Sequence, residues 1–120
     1  EVVAVVRELF ERPERVLIDK NIDVLDATFW NSPHTIRLCF DEHGYGFGKI
    51  HAHHVRRPPG LGTKEERLRL DILTLGDDFA TVNLVSEIRG EDRIGRQSQT
   101  GVRFPDESWK VVSAHVSRMG

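Results

Sequence analysis

The sequence predicts an α+β fold in which N-terminal helices pack on a strongly curved antiparallel sheet, and three observations carry that prediction. Apolar residues recur at helical spacing in the first thirty positions. From about residue 65 onward they alternate at period two between turn signals. A length of 120 residues suits one domain, taken as 1–120.

Val2, Val3, Val5, Val6, Leu9 and Phe10 stand at helix-compatible spacings, and Val16 and Leu17 continue them past Pro13. Proline removes one helix hydrogen bond and crowds the preceding turn, so either a kink at Pro13 or two shorter helices is expected. Asn21 is placed to cap a second short helix carrying Val24, Leu25, Phe29 and Trp30, closed by Ser32-Pro33. Thr35 to Phe40 reads as a strand, followed by a turn at Asp41 to Gly44 and a short Tyr45 to Phe47 extension. A third helix is expected from about Lys49 to Arg57, ended by Pro58-Pro59-Gly60.

The remainder reads as a meander. Leu68, Leu70 and Ile72 alternate with charged residues, then Ala80, Val82 and Leu84, then come Ile94 to Phe104 and Trp109 to Val116. Turn signals fall at Gly76-Asp77-Asp78, Gly90-Glu91-Asp92 and Pro105-Asp106. Helices first and strands after place the helices on one face of the sheet. A strongly bent sheet leaves a cavity beneath them.

Composition narrows the function. A formal charge of −2 lacks the Lys and Arg surplus of a nucleic-acid binder. No run approaches the ~20 apolar residues that cross a bilayer, and no signal peptide opens the chain, so a cytoplasmic protein with no membrane partner is expected. The basic residues are 13 Arg against 4 Lys, and the planar guanidinium suits carboxylate recognition as well as surface ion pairs. The lone Cys39 forms no internal disulfide and reads as a buried structural thiol.

Gly95-Arg96-Gln97-Ser98-Gln99-Thr100, then Val102-Arg103 and Trp109 through Ser117, resemble the AtzH-like group of NTF2-like (cystatin-like, SnoaL-like) proteins, which includes small oxalurate-catabolism proteins. Phe29-Trp30, Pro33, Thr35-Ile36-Arg37, Tyr45-Gly46 and Thr74-x-Gly76-x-Asp78-x-Ala80 resemble its pattern in the same order. The resemblance covers nearly the whole chain. It implies the NTF2-like cone, a homodimer through the outer sheet face, and a role in the breakdown of nitrogen-rich acids. One branch acts as a decarboxylating amidohydrolase on a carboxylated urea, with an Arg that matches Arg37 and a Tyr that falls at Pro13 here. An aromatic-basic pair on the third helix is here His53-His54, and the Trp usual after the Gln-Thr stretch is Gly101.

Arg37 interrupts an apolar strand, and a guanidinium there needs a partner: a ligand carboxylate, or a helix carboxylate such as Glu14. Alternation sets Gln97 and Gln99 on one face with Arg103, and Arg96 and Ser98 on the other, with either face able to line the pocket. Their amides match a ureido ligand, or else a polar ladder between subunits. His115, among Val111, Val112 and Val116, reads as a general base, a ligand donor or a core histidine. His51 and His54 share a helical face, but no zinc motif accompanies them, and neither metal nor cofactor is expected. The candidate site is therefore Arg37 and His115 as catalytic residues, with Gln97, Ser98, Gln99, Arg96, Tyr45, His53 and His54 around a small anionic or ureido ligand. An enzyme acting on ureido acids leads, ahead of a non-catalytic binding or accessory protein and of an oligomerisation module.

Overall fold

The computed structural model describes residues 2–16, 22–39, 42–56, 65–88 and 93–119, with the side chains of 10–16, 65–66 and 88 outside the description. The Asn21 cap and the turns at Pro58-Pro59-Gly60 and Gly90-Glu91-Asp92 also lie outside the described residues. Helix α1 (Val2–Val16) continues through Pro13 as one element rather than two. Helix α2 (Ile22–Thr28) ends where the Thr28 hydroxyl donates back to the Val24 carbonyl at 3.1 Å, and α3 spans Phe47–Arg56.

Six strands follow the same chain: β1 (Ile36–Cys39), β2 (Glu42–Tyr45), β3 (Glu65–Leu75), β4 (Phe79–Ile88), β5 (Ile94–Arg103) and β6 (Trp109–Met119). They form one curved, unclosed sheet in the order β2-β1-β6-β5-β4-β3. All neighbours are antiparallel except β1 and β6, which run parallel through Ile36↔Ser113, Arg37↔Ala114 and Leu38↔His115.

One stripe of α1 settles on the sheet because Val2, Val6 and Leu9 recur at helical spacing. Val6 is buried against Ala80 and Val82, with Val2, Leu70, Ile72 and Trp109 around it. Leu9 meets Val111 and Ala114, with Phe29 and Trp109 alongside. Each fully buried aliphatic side chain contributes about 1.5–3 kcal/mol. These contacts define the helix-facing side of the sheet.

Three local expectations are corrected. Glu42 to Gly44, expected as a turn, belongs to β2, and Phe47 opens α3 instead of extending a strand. Gly44 permits this: a Cβ there would stand 2.9 Å from the Arg37 carbonyl oxygen and 3.6 Å from Ile50 of α3. Gly46, at φ +88°, then turns the chain out of β2, with its N–H donating to the Thr35 carbonyl at 2.7 Å. Leu68 does not share the core face with Leu70 and Ile72. It is the extra residue of a bulge, since Arg67 pairs with Ser86 and Arg69 with Val85, and it is 54% exposed.

A second bulge governs the last strand. Thr100 pairs with Ser113 and Gly101 with Val111, so Val112 is the extra residue of β6. The phase of alternation shifts there, and the buried residues are Val111 and Ala114 rather than two positions of equal parity.

Candidate functional site

Strand register sorts the predicted site residues into two cross-strand rows. On the helix-facing side, Arg37 of β1, Ala114 of β6, Gln99 of β5, Val82 of β4 and Ile72 of β3 lie side by side. One residue further along each strand, Leu38, His115, Ser98, Asn83 and Asp71 form a row on the outer face.

Arg37, Gln97 and Gln99 therefore share the inner face. Arg37 is half-buried, and its Nη1 donates to the Cys39 thiol two residues on. Among the described residues no carboxylate pairs with it, and Glu14 lies outside those whose side chains are described. Gln99 Nε2 donates to Gln97 Oε1 at 2.9 Å, which leaves the opposite ends of both amides for other partners. Two strand spacings, roughly 10 Å, separate the Arg37 backbone from that of Gln99. Small Ala114 stands between them and is buried.

The outer face takes the remaining sheet candidates. Ser98 donates to Asn83 Oδ1 at 2.6 Å, and Arg96 is exposed. Tyr45 is 62% exposed beside His43. His115 is exposed as well, and the reason is the bulge at Val112: counted straight from Val111 it would point inward, but the extra residue turns it out. The sheet thus stands between His115 and Arg37, and these two do not meet. Neither does His115 match the core-histidine alternative.

Helix α3 brings its histidines to two different carboxylates. His51 and His54 each donate Nδ1–H to Asp26 of α2, at 2.6 Å and 2.7 Å. His54 is buried and lies 5.6 Å from the Phe29 ring. Asp26 was not among the predicted residues; its only sequence signal is an acid in a short helix, and its partners lie some 25 residues away. His53 points toward β2, with Nδ1 3.7 Å from Glu42 Oε1, and the same carboxylate accepts from Arg56. Among the described residues no group of three His, Cys, Asp or Glu side chains is arranged to hold a metal ion.

An open concavity of about 680 Å³ is bounded by Trp30, Phe47, Phe104, Asp23, Asp26 and Lys110. It does not include Arg37, Gln97 or Gln99. Its cation is already committed, since Lys110 Nζ donates to the Ala27 carbonyl at 2.6 Å. At its rim, hydrogen bonds from the Ser108 hydroxyl and N–H hold the Asp106 carboxyl below the usual carboxylate range.

The AtzH-like family model matches residues 1–120. A cystatin-like fold protein from Burkholderia xenovorans LB400 is 35% identical at a TM-score of 0.90, covering 99% of this chain and 92% of its own. A protein with unknown function from Pectobacterium atrosepticum is 36% identical at a TM-score of 0.90, covering 99% and 91%. An NTF2-like superfamily protein from Salmonella enterica shares the fold at 18% identity and a TM-score of 0.77, covering 99% and 92%. No curated protein matches the chain. No helix among the described residues is long and apolar enough to cross a membrane.

Proposed function

The chain belongs to the AtzH-like family, and from that premise we propose that it binds a small ureido carboxylate on the helix-facing side of its sheet and breaks it down as a hydrolase or decarboxylase. One observation carries the reading: half-buried Arg37 stands in the same cross-strand row as Gln99, whose amide is paired with that of Gln97, across the small Ala114. A guanidinium in such a place needs an anion, and the planar fork suits a carboxylate. Neutral amides at roughly 10 Å suit the ureido end of the same molecule.

A second reading has its own support. His115, one of the two catalytic candidates, is on the opposite face from Arg37, and Pro13 stands where the family resemblance implies a Tyr. A non-catalytic protein that holds the same ligand would keep Arg37 and the glutamines and lack turnover. A homodimer through the outer face belongs to the same proposal, supported by Leu73, Leu75 and Phe79, which are 57%, 59% and 37% exposed there.

The test is thermal. A ligand that binds only the native state raises the melting temperature, by about 2.7 kcal/mol of stabilisation at a hundred times Kd. Oxalurate or allophanate is expected to raise it in the wild type and much less in Arg37→Met, with uncharged biuret as the control. A flat response to every carboxylate defeats the proposal. Release of CO2 or ammonia from the ligand that binds then separates the enzyme from the accessory protein.

A further inference from the structure

We infer that the concavity beside α2 is a ligand site in its own right, for a small organic cation whose ammonium group is carried on an apolar body. Neither Arg37 nor the two glutamines lines it, so it stands apart from the ureido-carboxylate reading. The composition of its wall carries the inference, because aromatic rings and carboxylates line the same hollow.

Separate parts of the chain bring the rings together. Trp30 follows α2, Phe47 opens α3 and Phe104 follows β5. The Trp30 N–H donates to the Val111 carbonyl at 3.0 Å, which ties the end of α2 to β6, and its indole lies 5.4 Å from the Phe104 ring. Phe104 is held in turn by its own N–H, which donates to the Ser108 carbonyl at 2.9 Å across the β5–β6 turn. The Phe47 ring stacks with His51 at 6.5 Å. All three rings are half-buried, so the hollow is walled by rings that the fold fixes in place. Its volume of about 680 Å³ is in the range of small-molecule pockets, whose walls are mostly apolar with a few polar groups.

The charges select the ligand. Among the described residues, Asp23, Asp26 and Asp106 line the hollow against one cation, Lys110. Lys110 Nζ is engaged by the Ala27 carbonyl, and the two oxygens of Asp26 by His51 and His54. Asp23 and Asp106 are exposed at the rim, and among the described residues neither makes an ion pair. Asp106 stays ionised, since the Ser108 hydroxyl and N–H hold its carboxyl below the usual range. An anion entering here meets carboxylates, and an uncharged molecule gains only its contact with the rings. An ammonium gains from both, through the negative faces of the rings and through the rim carboxylates.

The probe is phenethylammonium, compared with phenethyl alcohol and hydrocinnamate, which keep the phenyl body and carry a neutral or an anionic group instead. Affinity is read by NMR from the indole N–H signal of Trp30, at a pH of about 8, where histidines of ordinary pKa add no charge. Phenethylammonium is expected to bind with a Kd on the order of 1 mM, about tenfold tighter than the alcohol, with hydrocinnamate the weakest. The signal of Trp109, which packs beside Val6 and Leu9, is expected to stay in place. Asp23→Asn combined with Asp106→Asn alters exposed groups only, and the amide oxygen at 106 can still accept from Ser108. This double substitution is expected to weaken phenethylammonium about fivefold and to leave the alcohol unchanged. Equal affinity for cation and alcohol overturns the inference, as does a cation affinity that the double substitution does not touch. A shift at Trp109 without one at Trp30 also overturns it, and so does no binding at roughly 20 mM.

Discussion

The two faces of the sheet differ more than any two segments of the sequence do. On the inner face, Arg37, Gln97 and Gln99 are half-buried among Ala114, Val82 and Leu84. On the outer face, one position along each strand, His115, Ser98 and Asn83 are exposed beside Asp71. Residues adjacent in sequence are thus separated by the full thickness of the sheet, whereas Arg37 and Gln99, far apart in sequence, share a row. Proximity along a strand is a poor guide to which residues share a face, and parity counted between bulges is a good one.

Substitutions on paired positions test this contrast. The largest difference is expected between Arg37→Met and His115→Ala. Losing a charged hydrogen-bonding partner costs about 1.5–3 kcal/mol, so Arg37→Met should weaken carboxylate binding by roughly 10- to 150-fold in a calorimetric titration. His115→Ala should change it less than about twofold, and a large loss there would mean that the outer face takes part in binding.

Next comes stability. Gly44→Ala places a Cβ 2.9 Å from a backbone oxygen, which can yield only by moving β1 against β2. A loss of about 2 kcal/mol is expected, read as a melting temperature lowered by roughly 8 °C, with ligand affinity falling as Arg37 shifts. An unchanged melting temperature would show that the β1–β2 pair is looser than its register implies.

Gln99→Leu and Ser98→Ala sharpen the contrast further, on consecutive residues. The glutamine change removes neutral hydrogen bonds to a ureido group, worth about 1 kcal/mol, and should weaken binding about fivefold. The serine change should leave binding within error.

The smallest effect belongs to the outer-face pair Arg69–Asp71, whose closest contact is 2.7 Å. The Arg69 guanidinium holds the Asp71 carboxyl below its ordinary range. Its stabilising contribution is present at pH values above the ordinary carboxylate range and is lost as pH falls through the depressed value. Asp71→Asn should therefore lower the melting temperature slightly at neutral pH and not at all in strong acid, since exposed pairs contribute little.

Element order was legible in the sequence because it depends on local periodicity. The stripe of Val2, Val6 and Leu9 and the alternation of Ala80, Val82 and Leu84 each bury the face they predict. The family resemblance, carried by Gly95 to Thr100, was legible for a different reason, since it rests on identity of residues rather than on period. What escaped was non-local. Parallel pairing of β1 with β6 joins residues 36–38 to 113–115, and no short window contains both. Bulges at Leu68 and Val112 escaped because one extra residue looks like any other until its partner strand is known. The second of these put His115 on the face opposite Arg37. Asp26 escaped because a carboxylate becomes the hub of two histidines only after α2 and α3 pack together.

The parallel junction also bears on the order in which the molecule assembles. Strands β3 to β6 join through hairpins between consecutive strands, so their closure spans short loops and costs little entropy. The strand that carries Arg37 must instead wait for β6, across everything made in between, and it is then held to β6 along residues 36–38 only. The half of the sheet that carries Arg37 is therefore expected to be the last part to lock and the first to let go. A ligand bridging Arg37 to the glutamines would tie this late-docking flap to the finished meander and make one cooperative unit of two.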